Sequence, residues 1–281
     1  MILDLNGKWV PEDQPVFSAG NRGFNYADGL FETLKFAEKS IFFLEDHIKR
    51  LFSGMKMLKM EIPEKWSTSF FENRIKQLIN QNNIDDSQPL RIKINVFRNS
   101  TGLFYPVQNQ VFYVIRISPL QKALYVINSN PYKVDVYHDN YICSSVLSNL
   151  KTTERIINIL GSMHASEEGL DNCFLMNEKG NISEALNGNI FLLQSDTLKT
   201  PALNQGCING ILRKEILEIS LKTKFRAIET QITQEDLVLA DEIWITNVIM
   251  GIKAVSFYKN RVFENKIAGK FTDLLNRKVL C

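Results

Sequence analysis

The chain has 281 residues, 44% hydrophobic and 23% charged, which suits a soluble globular protein of one large or two modest domains. A formal net charge of +2 gives nucleic acid or an anionic membrane no electrostatic hold, so neither is expected as a partner. The sequence holds no apolar run of about 18 residues and does not start with a basic-then-apolar leader, so the reading expects no membrane span, no secretory signal and a cytoplasmic location.

Asn6-Gly7 between Ile2–Leu5 and Lys8–Pro11 is a hairpin signal. Residues 21–29 are turn-rich. Residues 30–36 alternate as a strand, 37–39 turn, and 40–44 form its partner. A helix is predicted over 45–60, with Ile48, Leu51, Met55 and Leu58 on one face. A second covers 64–82, with Phe70, Ile75, Leu78 and Ile79 inward. Residues 90–97 and 110–117 are β-rich. A short polar stretch around Ser118-Pro119 is the expected boundary, giving domains 1–118 and 124–281 with 119–123 as linker. Beyond it, 124–128 and 141–147 have strand character and 152–168 reads as a helix carrying Ile156, Ile159, Leu160 and Met163. Strands are predicted at 173–176, 182–186, 189–193, 197–200, 225–230, 242–246 and 252–258. Helices are predicted at 211–223, 233–240 and 267–277, the middle one opened by a Thr-x-x-Asp cap. Strands and long helices do not alternate regularly, so the class is α+β with two domains.

The scattered cysteines Cys143, Cys173, Cys207 and Cys281 form no CxxC and read as reduced thiols. His47, His138 and His164 lack metal spacing, and are read as surface or core-edge residues, so no metal is expected. There is no Gly-x-Ser-x-Gly elbow and no phosphate loop ending in Gly-Lys-Ser/Thr. One stretch carries chemistry. Lys151 sits between a strand-like run and a helix, and Glu184 follows 33 residues later (184 minus 151) in a strand-like run. An amine and a carboxylate so placed suit pyridoxal phosphate (PLP), which needs a lysine to hold its aldehyde and an acid to keep its ring nitrogen protonated. Asn209-Gly-Ile-Leu-Arg213 enters a helix and offers main-chain N–H groups to a phosphate. Thr246-Asn247 leaves a strand into a turn, and Arg50 supplies a cation. Taken singly, each of these is an ordinary capped helix start, strand end or solvated charge.

Taken together, the segments resemble the class IV (fold-type IV) PLP enzymes, a family holding branched-chain aminotransferases, D-amino acid aminotransferases and 4-amino-4-deoxychorismate lyases. The resemblance rests on six stretches in order. They are residues 22–34 (Arg-Gly-Phe-Asn-Tyr-Ala-Asp-Gly-Leu-Phe-Glu-Thr-Leu), Asp46-His-Ile-Lys-Arg-Leu51, Leu150-Lys-Thr152, Ile182-Ser-Glu-Ala-Leu-Asn-Gly-Asn-Ile-Phe191, Gly206-Cys-Ile-Asn-Gly-Ile-Leu-Arg213 and Thr246-Asn247. It implies a small N-terminal domain, a larger C-terminal one, PLP in the cleft between them, and a homodimer whose partner completes the site. It assigns Lys151 to the Schiff base and Glu184 to the pyridine nitrogen. Arg50, Asn189, Gly210, Ile211, Leu212, Thr246 and Asn247 go to the cofactor, most of them to its phosphate. Glu32 and Arg98 are placed near a small amino-bearing substrate. Leu212 stands where the family often has threonine, and Ala185-Leu-Asn-Gly188 where serines are common. Residues 99–105 lack the arginine and histidine with which D-amino acid aminotransferases hold a carboxylate, which argues against that activity. Residues 209–213 and 245–255 look closest to the lyase branch, releasing 4-aminobenzoate and pyruvate for folate synthesis. A branched-chain aminotransferase is the alternative, and a non-catalytic PLP-fold protein or binding module the remote one.

Overall fold

A computed structural model describes residues 1–15 and 17–280, so the thiol of Cys281 lies outside the described residues. The chain falls into two compact units. Unit 1 is Met1–Ala123 with the strip Lys151–Glu154, and unit 2 is Leu124–Leu150 with the chain from Arg155 onward. The stretch 119–123 therefore belongs with unit 1. So does Lys151, which the sequence reading placed in the C-terminal domain. Main-chain pairing explains this: Phe31 N–H donates to Lys151 O (2.9 Å), Thr153 N–H to Gly29 O (3.0 Å), and Thr152 bridges to Leu30.

In unit 1 the strands are β1 (Ile2–Leu5), β2 (Lys8–Pro11), β3 (Gly29–Ala37), β4 (Ser40–Ile41), β5 (Leu90–Arg98) and β6 (Val111–Pro119). They form one antiparallel sheet in the order β2-β1-β6-β5-β3-β4. Asn6 (φ 50°) and Gly7 (φ 96°) make the left-handed pair that the predicted hairpin needs. The helices are α1 (Arg22–Tyr26), α2 (Leu44–Met57) and α3 (Thr68–Gln81). The turn-rich stretch thus closes into a short helix, because Asn21 caps it by accepting from Phe24 N–H at 3.0 Å. The expected strand 40–44 stops at Ile41, since Phe43 takes a left-handed φ of 55° and turns the chain into α2. On α3 the inward aromatic is Phe71, fully buried against Trp66 and Tyr113, while Phe70 is half-buried.

Asp28 joins three parts of this unit. Its Oδ2 accepts from Arg22 Nε (2.8 Å) and Arg98 Nε (2.9 Å). Arg22 also holds the carbonyls of Gly102 and Phe104, and Arg98 those of Leu58 and Lys59 just past α2. Both arginines are buried. Asp28→Ala leaves two buried cations without their shared partner, so a loss of about 3–5 kcal/mol is expected in urea unfolding. A loss below about 1 kcal/mol, the range of exposed pairs, would show that the cluster is not a fastener.

In unit 2 the strands are β7 (Lys133–Ile142), β8 (Asn172–Asn177), β9 (Ile182–Ala185), β10 (Asn189–Gln194), β11 (Thr197–Pro201), β12 (Arg226–Thr230), β13 (Glu242–Asn247), β14 (Gly251–Ala254), β15 (Phe257–Tyr258) and β16 (Arg261–Val262). They form two sheets, β12-β11-β10-β13-β14 and β16-β15-β7-β8-β9. Val134, Phe174 and Ile182 of one share a core with Ile190, Ile243 and Ile245 of the other. The helices are α4 (Ile156–Glu167), α5 (Ile211–Ser220), α6 (Gln234–Leu239) and α7 (Lys266–Leu280). α4 and α5 each lie between parallel strands, β7 with β8 and β11 with β12, as parallel pairing requires a crossover. The Thr233/Asp236 capping box opens α6 as its sequence predicts.

Four expectations change here. Residues 124–128 form no strand. Instead the Tyr125 N–H donates to Asn276 Oδ1 (2.9 Å) on α7, and Asn276 Nδ2 donates to Tyr125 O (2.8 Å). The strand lies later, at β7, and ends at Ile142 rather than spanning 141–147. The predicted strand 252–258 splits into β14 and β15, which belong to different sheets. Helix α4 begins at Ile156, four residues after Thr152, and the apolar row Ile156, Ile159, Leu160 and Met163 faces outward, while Gly161 and Ala165 are its buried side. No helix among the described residues is long and apolar enough to cross a membrane.

Candidate active-site residues

In unit 1, side-chain alternation along β3 puts Glu32 on the face covered by α2, and Phe31 and Lys35 on the other. Glu32 meets His47 and Arg50, one helical turn apart on α2. Arg50 donates from Nε to Oε1 (2.8 Å) and from an NH2 nitrogen to Oε2 (2.6 Å). His47 Nδ1 lies 2.7 Å from the same Oε2. Glu32 is 1% exposed and His47 fully buried. Burial pulls the Glu32 carboxyl upward in pKa, but the charge and hydrogen bonds of Arg50, with His47, outweigh it and hold the group at about 2. Burial pushes His47 down, against the pull of Glu32, and the charges of Arg50 and Lys151 push the same way. An ionised Glu32 can only accept, so a neutral His47 carries its proton on Nδ1. Its Nε2 is buried and meets no hydrogen-bond partner among the described residues. Lys151 Nζ lies 4.4 Å from the centroid of the Phe31 ring, its main chain pinned to β3.

In unit 2, Glu184 of β9 is 4% exposed, and its Oε2 accepts the Ile208 N–H at 2.9 Å. Ile208 O accepts from Asn189 Nδ2 at 2.8 Å. Asn189 pairs with Thr246 across β10 and β13, and the Thr246 hydroxyl reaches back to Asn189 O at 3.4 Å. Gly210, the N-cap of α5, passes so close that a Cβ there would lie 1.8 Å from Asn189 Oδ1. A side chain there would have to push the Asn189 amide aside, away from its bond to Ile208 O. The first-turn N–H groups of Ile211 and Leu212 have no acceptor within the helix and sit at its positive end. Glu184, Asn189, Gly210, Ile211, Leu212 and Thr246 therefore form one connected cluster. Asn247 is tied up in a turn: its Oδ1 accepts from Ile249 and Met250 N–H (3.0 and 2.9 Å), and its Nδ2 donates to Asn187 O (2.8 Å). Nearby Cys207 is buried, which pushes its thiol to about 12 and keeps it inert.

Arg98 differs from the expectation of a substrate contact. Its guanidinium donates to Asp28, Asn109, Leu58 O and Lys59 O, leaving little to offer a ligand. Sequence reasoning missed His47, set aside as a surface or core-edge residue, although its i, i+3 spacing from Arg50 was a usable signal. It missed Ile208 and Asn149, whose roles run through the main chain. Asn149 Nδ2 donates to the carbonyls of Leu203 and Cys207 (2.8 and 2.7 Å), fixing the stretch just before Lys151. Among the described residues no group of His, Cys, Asp and Glu is arranged to hold a metal.

The chain is similar in sequence and fold to known proteins. A putative branched-chain-amino-acid aminotransferase of Methanocaldococcus jannaschii is 28% identical over 99% of this chain and 95% of its own. An aminodeoxychorismate lyase of Bacillus subtilis is 26% identical over 89% of this chain and 84% of its own. Among solved structures, the branched-chain aminotransferase of Thermoproteus uzoniensis with norvaline superposes with a TM-score of 0.89 at 23% identity, covering 100% of this chain and 95% of that one. An aminotransferase from Brucella abortus bound to PLP does so at 0.85 and 16% identity, covering 100% of this chain and 99% of that one. The profile of the amino-transferase class IV family matches residues 29–257, from the start of β3 into β15. The chain belongs to this class IV aminotransferase family, whose members are PLP-dependent enzymes.

Proposed function

We propose that this chain is a PLP-dependent aminotransferase that takes the amino group of an apolar, branched-chain-type amino acid and returns it to 2-oxoglutarate. The observation that carries PLP chemistry is Lys151, an amine set over the Phe31 ring on a strip of main chain pinned to β3. The donor set fits the cofactor. Glu184 is a buried carboxylate for a protonated ring nitrogen, and its position is fixed by Ile208 N–H. In unit 1 Arg50 is a cation suited to a phosphate; in unit 2 the first turn of α5 offers N–H groups suited to one, with Thr246 beside Asn189. With the side chain of Asn247 held in its turn, any help from that residue falls to its main chain. The loss of a hydroxyl at Leu212 leaves the helix-terminal N–H groups in place.

PLP supplies an aldehyde that takes up the substrate amine and a ring that draws electrons from the substrate Cα. With the cofactor bound, Lys151 would hold its aldehyde and would take up and return the proton at Cα. Glu184 keeps the ring nitrogen protonated. Glu32 serves by orienting Arg50 and His47 rather than by touching substrate.

The choice of amino acid rests on the near full-length likeness to a relative named as a branched-chain aminotransferase, and on the absence of a carboxylate-trapping arginine and histidine in 99–105. A second reading, 4-amino-4-deoxychorismate lyase of folate synthesis, is favoured by segments 209–213 and 245–255 and by relatives of that name in Bacillus subtilis and Vibrio harveyi. Both use the same residues around the cofactor. Purified protein with PLP is given branched-chain amino acids and 2-oxoglutarate in one tube and 4-amino-4-deoxychorismate in another. Glutamate in the first alone is the expected result. Pyruvate in the second alone would make it the lyase. A homodimer in the cytoplasm belongs to the same reading, and the outward row Ile156, Ile159, Leu160 and Met163 is apolar surface that a second copy can cover.

A further inference from the structure

We propose that His47 is the proton-coupled second cation of the phosphate half-site: when a phosphate monoester binds beside Arg50, His47 Nε2 takes a proton from the medium and donates it to a phosphate oxygen. The inference rests on the reading that Arg50 meets the cofactor phosphate.

A phosphate monoester near neutral pH carries close to two negative charges. Arg50 carries one positive charge, but Glu32 takes two hydrogen bonds from its guanidinium and cancels it. With His47 neutral, the trio Glu32, His47 and Arg50 has no net charge. His47 is the member able to change that. Its Nδ1 is already bonded to Glu32 Oε2 at 2.7 Å, the arrangement that stabilises an imidazolium as the second proton arrives. Its Nε2 is fully buried and has no partner among the described residues, an arrangement that costs free energy until a donor or acceptor arrives. Imidazole and guanidinium converge on one carboxylate oxygen from the same face of α2, so an anion at Arg50 lies within the field of both.

The groups facing His47 set the balance. Glu32 on β3 favours the charged ring, while Arg50 on α2 and Lys151 on the neighbouring strip oppose it, as does burial. Without an anion the ring stays neutral. A phosphate adds negative charge to the favouring side. Joining Lys151 to an aldehyde also lowers the basicity of its nitrogen and so weakens that opposing charge, so the test must separate these two causes.

The chain has three histidines, and His138→Gln with His164→Gln leaves only His47 to observe. The ring nitrogens of this variant, 15N-labelled at histidine, are followed by NMR at neutral pH in four samples. These are cofactor-free protein, protein with inorganic phosphate, protein with pyridoxal (which joins Lys151 but brings no phosphate), and protein with PLP. The expected pattern is a neutral Nδ1–H ring in the first and third and an imidazolium in the second and fourth. Phosphate affinity should then fall by up to about tenfold per pH unit above the free ring's pKa. A neutral ring with phosphate bound, an imidazolium already present in the free protein, or one produced by pyridoxal alone would each overturn the proposal. If equilibrium dialysis finds no binding of phosphate or PLP, the phosphate reading of Arg50 falls as well. Binding without a change in the ring overturns His47 alone.

Discussion

Lys151→Ala is expected to give a folded protein that binds PLP without the visible absorbance of a lysine-linked cofactor, and whose turnover falls by about 10²–10⁴-fold. Two losses combine. The amine no longer holds the cofactor, and no base stands at Cα to move the proton. The side chain itself contributes little to the fold, because the bonds that fix this strip to β3 are made by main-chain atoms: Phe31 N–H to Lys151 O, and Thr153 N–H to Gly29 O. The rival amine is Lys35, two register positions past Thr33 on the Phe31 face. It is buried, and that burial lowers its pKa to about 8, a property associated with lysines that form Schiff bases. Absorption spectra of Lys151→Ala and Lys35→Ala therefore decide the matter. Colour retained in the first and lost in the second would move the cofactor to Lys35 and sink the assignment.

How far the sequence speaks depends on whether a feature is local. The Asn6-Gly7 hairpin, the capping box at Thr233 and the entry into α5 through Gly210 depend on a few adjacent residues, and all stand as read. The run 182–191 was legible because Glu184, Asn189 and their strands are close in sequence. The misreadings come from contacts made at a distance. α4 has a helical apolar period, yet Ile156, Ile159, Leu160 and Met163 are exposed, because period marks a face without saying what covers it. β7 went unread although Val134 and Val136 alternate with polar residues, and its parallel pairing with β8 and β15 is made with residues distant in sequence. Phe43 breaks the strand after β4 through a left-handed φ that no aromatic residue announces. Arg98 is placed near the substrate by the resemblance, and that its guanidinium is taken up by Asp28 and by carbonyls past α2 depends on residues far from it in sequence. Of the trio, Arg50 and Glu32 are named by the resemblance and His47 is not, although His47 lies one helix turn from Arg50; that Glu32 meets both of them from β3 is a contact made at a distance in sequence.

That trio carries the second large effect. Glu32→Gln keeps the size of the side chain but removes the negative charge that Arg50 and His47 share, at a site 1% exposed. Removing one member of a buried pair typically costs about 3–5 kcal/mol. The pH dependence separates this cause from a packing fault. The carboxyl's folded pKa of about 2 lies below its ordinary 4.5, so the native state binds fewer protons than the unfolded chain. Its ionised form therefore stabilises the fold fully above about pH 4.5, and that contribution drains away as pH falls toward 2. The gap from 4.5 to about 2, at about 1.36 kcal/mol per pH unit, amounts to about 3 kcal/mol, the same order as the pair-breaking cost. Urea unfolding of both proteins across this range should show the wild-type advantage largest near neutrality and shrinking through the acid window, while the variant lacks that segment of the slope. A difference that stays constant down to the lowest pH would mean that shape, not charge, is what Glu32 contributes. Its bonds to Arg50 and His47 would then be incidental to the fold.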